Sequence, residues 1–165
     1  LQTRLPNSVV VDQDTHAAFL NTHYRSLVPV TGPNHLKFAV SRAIVDHAID
    51  RTTAHLIFCN ANRSGAARTR LLDRLARAGF TTVLVDFRIA EDLLRQRVAA
   101  SERSTSVLRA STSFAEVLAR QQRASGDPDT TVPAVGDADH LFRVDRSEAV
   151  PDVIQAILEI DHGPH

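Results

Sequence analysis

The chain has 165 residues, 43% of them hydrophobic, which is enough for one compact core and short of two. Nineteen acidic side chains balance nineteen basic ones, so no overall field draws the protein onto nucleic acid or an anionic membrane, and any basic site must be local. The single cysteine, Cys59, excludes a disulfide framework and a cysteine-based zinc site and fits a cytoplasmic setting; nothing resembles a signal peptide or is apolar for long enough to cross a bilayer.

Ser8-Val9-Val10-Val11, apolar and β-branched after Pro6-Asn7, predicts a buried strand ending at Asp12. Leu36, Val40, Ile44 and Ala48 then recur at helical spacing behind Gly32-Pro33-Asn34. A second strand is expected over His55-Leu56-Ile57-Phe58-Cys59. The next helix should start near Ser64, carry Leu71, Leu72 and Leu75, and stop at Gly79 in the left-handed region. Thr82 to Phe87 reads as a third strand and Glu91 to Ala100 as a helix. Ser113-Phe114-Ala115-Glu116 has the capping-box spacing that opens another. Gly, Pro, Asp and Thr predict a loop over 124–139. A fourth strand, His140 to Asp145, and a helix carrying Val150, Val153, Ile154, Ile157 and Leu158 complete the chain. Strands alternating with helices imply right-handed βαβ units and a mainly parallel sheet covered on both faces. Active sites in such sheets lie at the carboxyl ends of the strands.

Three groups of polar residues sit where chemistry is expected. Asp12 and Asp14 follow the first strand; one carboxylate would hold magnesium while the other takes a proton from a substrate hydroxyl, or Asp14 simply caps the helix behind it. Asn60-Ala61-Asn62-Arg63-Ser64 leaves the second strand for a helix start, where Asn60, Arg63 and Arg68 would grip an anionic or polyhydroxyl substrate. The opposing reading makes Arg68, Arg70, Arg74 and Arg77 a solvated helical face and Ser64 an N-cap. Arg97, Arg103 and Arg109 lie in and after the helix behind the third strand, placed to neutralise a transferring phosphoryl group. The eight histidines lack metal-ligand spacing, and Cys59 reads as a small buried hydrophobe.

The order of these segments resembles the P-loop kinases of the zeta-toxin and gluconate-kinase type, including AAA-like ATP-binding proteins. The resemblance is carried by Leu5-Pro6-Asn7-Ser8-Val9-Val10-Val11-Asp12-Gln13-Asp14, by Leu56-Ile57-Phe58-Cys59-Asn60, by Gly79 to Phe87, and by Leu94-Arg95-Gln96-Arg97-Val98 with the Arg103 to Arg109 stretch. It implies a single three-layer, doubly wound α/β domain over 1–165, strand order 2-3-1-4-5, with a lid over about 97–112. The central first strand, the Gly-x-x-x-x-Gly-Lys-Ser/Thr loop and the first helix would precede Leu5-Pro6 and are not in this sequence. The sole lysine, Lys37, follows Leu36 in a predicted helix and is not the loop lysine. With no methionine and Leu1 first, the chain is expected to lack an upstream segment. The implied activity is ATP-dependent phosphotransfer to a small hydroxyl-bearing molecule with ATP and magnesium as cofactors. Asp14 would stand at the substrate hydroxyl, Asp12 at the metal, Arg97 beside adenine, and Arg103 and Arg109 on phosphate. A non-catalytic nucleotide-binding or partner-binding module is the alternative.

Overall fold

The computed structural model describes residues 1–102, 104–108, 111 and 113–161. They gather into two compact units. The first comprises Gln2–Ala61 and Ala100–Gln122; the second comprises Leu1, Asn62–Ala99 and Arg123–His165.

In the first unit, β1 (Ser8–Val11) pairs in parallel with β2 (His55–Phe58), in the register Ser8↔His55 to Val11↔Phe58. The ladder is extended at both ends by His55 N–H to the Asn7 carbonyl (2.9 Å) and Cys59 N–H to the Val11 carbonyl (3.1 Å). Asn7 enters the strand with φ 51°, a left-handed conformation that Asn tolerates, and its side-chain Nδ2 donates to the Thr53 carbonyl at 3.0 Å. A parallel pair needs a crossover. Here it is made by α1 (Gln13–His23) and α2 (His35–Arg51), which pack on each other. Asn34 caps α2 by accepting Lys37 N–H at 3.0 Å. The face that α2 buries is Ser41, Val45 and Ala48, while the predicted Leu36, Val40 and Ile44 are half-buried beside it. Val11, Ala17, Leu20, Val45 and Ala48 make the centre of this core. Ala100–Gln122 adds a 3-10 turn, Thr105–Val107, lying against α1, and a later helix, α5 (Phe114–Arg123), whose last residue belongs to the second unit. The Ser113 hydroxyl accepts Glu116 N–H at 3.3 Å, the cap its spacing predicts.

The second unit contains α3 (Gly65–Arg77), β3 (Val83–Phe87), α4 (Glu91–Ala99), β4 (His140–Val144) and α6 (Val150–Asp161). Strands β3 and β4 are parallel, in the register Val83↔His140 to Phe87↔Val144. Helix α3 ends as its sequence predicts: Gly79 has φ 85°, Gly79 N–H donates to the Ala76 carbonyl and Phe80 N–H to the Leu75 carbonyl, closing the last turn. The starts of both strands are tied by Asp139, whose carboxylate accepts Thr82 N–H and the Thr82 hydroxyl, each at 2.7 Å. Thr82 N–H, then its hydroxyl, holds the Asp139 carboxyl below the usual carboxylate range. Val144 is 1% exposed at the centre of this unit, with Leu72, Leu75 and Leu158 the other buried apolar side chains.

The α/β class and parallel pairing follow the sequence pattern. Among the described residues the sheets are two-stranded, and no helix is long and apolar enough to cross a membrane.

Candidate functional site at the carboxyl ends of the strands

Parallel strands direct their carboxyl ends and the following helix starts to one edge, so polar side chains there meet unpaired backbone N–H groups. In the first unit this brings together residues 48 apart in sequence. Asp12, directly after β1, is the N-cap of α1: its Oδ1 accepts Asp14 N–H at 2.9 Å and its Oδ2 accepts the Thr15 hydroxyl at 2.8 Å. Asn60, two residues after β2, reaches the same helix start, its Oδ1 accepting Gln13 N–H at 3.2 Å. The cap is therefore Asp12, not Asp14. Asp14 stands in the first turn, half-buried, where its negative charge is favoured by the helix dipole. Asp12 and Asn60, which the sequence left in two separate groups, meet at the start of α1, and Asp14 follows in its first turn.

Cys59 lies between β2 and Asn60 and is exposed, not the buried hydrophobe expected from its neighbours. Partial desolvation, and then the Asp12 carboxylate, holds its thiol above the ordinary range, so it stays protonated at neutral pH and is a poor nucleophile. His16, one turn along α1, pairs its Nδ1 with the Ser41 hydroxyl at 2.8 Å. Ser41 itself donates to the Lys37 carbonyl at 2.9 Å, so the imidazole is the donor to Ser41, which ties α1 to α2.

The start of α3 in the second unit is built differently. Ser64 is its N-cap, accepting Ala67 N–H at 3.1 Å, as the sequence predicts. The remaining groups are taken by a loop some sixty-five residues away. Asp129 accepts the Ser64 hydroxyl and Ala66 N–H (3.1 Å) through its carboxylate, and Gly65 N–H (2.8 Å) through its carbonyl. The Ser64 hydroxyl, then Ala66 N–H, holds the Asp129 carboxyl below the usual range. Arg68 is 5% exposed and holds the same loop from beneath. Its Nη1 donates to the carbonyls of Asn62 and Thr131 (3.1 Å each), and its Nη2 to Thr131 Oγ1 (3.1 Å) and Asp137 (3.4 Å). Its buried Nε has no partner among the described residues. Of the arginines expected to share a solvated helical face, Arg68 thus lies on the opposite, buried side. Arg63 is half-buried, and its carbonyl accepts Thr131 N–H at 3.2 Å.

Arg97 extends from α4 to the hydroxyl of Ser147, just past the end of β4. Arg103 and Arg109 lie outside the described residues. Among the described residues no three histidine, cysteine, aspartate or glutamate side chains are grouped as a metal site.

No family model, curated protein or solved structure matches the chain. The site must therefore be judged on its own geometry. Sequence reasoning did not find Asp129, Thr131, Asp137 or Ser147, because each acts on a residue at least fifty positions away. One local signal was present. A Cβ on Gly65 would lie 2.3 Å from Thr131 Oγ1, so glycine directly behind an N-cap serine marks a close approach by another segment.

Proposed function

We propose that the chain is the substrate-binding and lid portion of an ATP-dependent phosphotransferase that acts on a small hydroxyl-bearing molecule. The observation that carries this reading is the convergence of Asp12 and Asn60, from the carboxyl ends of β1 and β2, on the start of α1, with Asp14 in its first turn. A carboxylate in the first turn of a helix at that edge is placed to accept a proton from a hydroxyl bound over it. The strand pairs support the same reading: β1–β2 and β3–β4, both parallel, are the pairs left when the first strand is taken out of the order 2-3-1-4-5. In this reading a central strand, followed by a Gly-x-x-x-x-Gly-Lys-Ser/Thr loop, completes a three-layer, doubly wound sheet. Arg97 supports adenine from beside Ser147, and Arg103 and Arg109 belong to a lid.

Magnesium fits the donor set. It is commonly held by one or two carboxylates together with waters and substrate phosphates, the donor type that Asp12 and Asp14 offer after β1. When bound, the ion would supply charge neutralisation on the phosphates. The capping role of Asp12 favours a second reading, a nucleotide-binding or partner-binding module without turnover, because both its oxygens already serve α1.

The test is to read the codons directly upstream of Leu1 and to titrate the chain extended by that segment with ATP and magnesium by calorimetry. An apolar strand with a Gly-x-x-x-x-Gly-Lys-Ser/Thr loop, and ATP binding that needs magnesium, is the expected outcome. An in-frame start immediately before Leu1, with no ATP binding, overturns the phosphotransferase reading.

A further inference from the structure

Helix α1 makes a second polar contact, well away from its start. Asp14, Ala18 and Asn21, spaced i, i+4, i+7, fall on one stripe of the helix, each half-buried, while Thr15, Phe19 and Thr22 are exposed and Ala17 and Leu20 are in the core. The 3-10 turn Thr105–Val107 packs on this helix. Asn21 joins the two, its Nδ2 donating to the Ser106 carbonyl at 2.8 Å across 85 positions of sequence. Among the described residues this is the hydrogen bond between the turn and α1. The turn otherwise holds itself: the Ser104 hydroxyl accepts Ser106 N–H at 3.2 Å and donates to the Ser106 hydroxyl at 3.0 Å, and Leu108 N–H donates to the Thr105 carbonyl at 2.8 Å. A carbonyl only accepts, so the Asn21 Nδ2 must face Ser106 and Oδ1 is the far end of the amide. That Oδ1 is buried and has no partner among the described residues.

We propose that Asn21 is the latch of a strap: the turn over 104–108 closes on α1 through this side chain and lifts from it as a unit. Three features carry the proposal. The bonds within the turn do not involve α1, so release costs the turn none of its own structure. Docking gains one hydrogen bond but strands an acceptor that water satisfies once the turn lifts, so the closed state is held by a narrow margin. Little apolar surface adds to it, since Ser104, Thr105 and Ser106 are exposed and Val107 and Leu108 are only half-buried. Helix α1 is seated independently, by Ala17 and Leu20 in the core and by His16 on Ser41 of α2, and so stays in place when the strap leaves. In the proposed phosphotransfer, on which this consequence alone rests, the strap is part of the lid. Its seat at Asn21 lies two helical turns past Asp14, about 10 Å along the axis, and its opening sets access to the stripe that leads there.

The experiment is hydrogen exchange, read by mass spectrometry on the full chain without nucleotide, so its outcome is independent of the phosphotransfer reading. Asn21→Asp keeps the side chain's shape but sets a carboxylate against the Ser106 carbonyl. At neutral pH it should speed exchange over 104–108 about tenfold, with α2 and β1 unchanged. Once rates are corrected for the intrinsic dependence of exchange on pH, part of that effect should vanish between about pH 7 and about pH 5, as the buried carboxyl takes up a proton and donates to Ser106 again. Asn21→Leu removes the donor and the stranded acceptor together and should stay within about threefold of the wild type. Thr22→Ala, at the next position, deletes a hydroxyl that bonds back to the Ala18 carbonyl at 2.9 Å and should change nothing over 104–108. Unchanged exchange over 104–108 in Asn21→Asp, acceleration spread equally over α2 and β1, or Asn21→Leu opening the strap as far as Asn21→Asp would each overturn the inference.

Discussion

The starts of α1 and α3 present the same physical problem. Each follows a parallel strand or the loop leaving it, and each exposes backbone N–H groups that attract negative charge. The solutions differ. At α1 the groups come from the adjoining strand ends: Asp12 caps the helix, Asn60 reaches Gln13, and Asp14 stands in the first turn. At α3 the chain inserts its own carboxylate, Asp129, and fixes it with a buried arginine under the loop. Both starts thus carry a carboxylate of the chain itself, but only α1 has a second one, Asp14, in its first turn. In the proposed phosphotransfer Asp14 is therefore the carboxylate given the chemistry, and Ser64, Arg68 and Asp129 serve architecture.

That contrast makes its largest expected effect at Arg68. Arg68→Ala leaves the carbonyls of Asn62 and Thr131 without their donor and Asp137 without its cation, and should destabilise the second unit by about 3 kcal/mol. Arg68→Lys should recover little, because a single ammonium cannot span four acceptors. A urea midpoint unchanged by either substitution would break the comparison.

A smaller loss, about 2 kcal/mol, is expected from Gly65→Ala, whose new methyl meets Thr131 Oγ1. The sharper test is the double-mutant cycle with Thr131→Ala, which removes the clashing oxygen. The double variant should be more stable than the sum of the two single losses implies. Additive losses would mean that the loop does not press on Gly65.

Much of the fold was legible in the sequence. The four strands, the helix from Ser64 to Gly79 and the Ser113 cap rest on local patterns of apolar period and punctuation, and all appear near their expected bounds. Asp12 and Asn60 were legible individually, since residues leaving strand ends are the ones that meet helix starts. Which aspartate caps α1 was not, because both lie within reach of the same N–H groups. The burial of Arg68 was hidden for another reason. Its neighbours in sequence, Arg70, Arg74 and Arg77, argue for a solvated helix, and only the distant loop makes the buried side of α3 polar enough to receive it.

The smallest effect is a dependence on pH. Asp129 and Asp139 both have carboxyls held below their ordinary range in the folded chain. A group whose folded pKa is depressed contributes stability above its unfolded pKa and loses it as pH falls through the folded one. Thermal stability should thus be level above about pH 5 and decline below about pH 4. Asp129→Asn should flatten part of that decline. A rise in stability on acidification would contradict the assignment.

The most direct test of the division between the two helix starts is ATP turnover. It is measured with magnesium and a small polyol acceptor on the chain extended by the strand and loop of the proposed reading, comparing Asp14→Asn with Asp129→Asn. Asparagine keeps the size and hydrogen-bonding capacity of aspartate while removing its charge and most of its basicity. Asp14→Asn should lower kcat about a hundredfold, the scale for a positioned general base, with ATP affinity nearly unchanged. Asp129→Asn should lower stability and leave kcat per folded molecule within twofold. Full activity in Asp14→Asn together with lost turnover in Asp129→Asn would reverse the assignment and place the chemistry at α3.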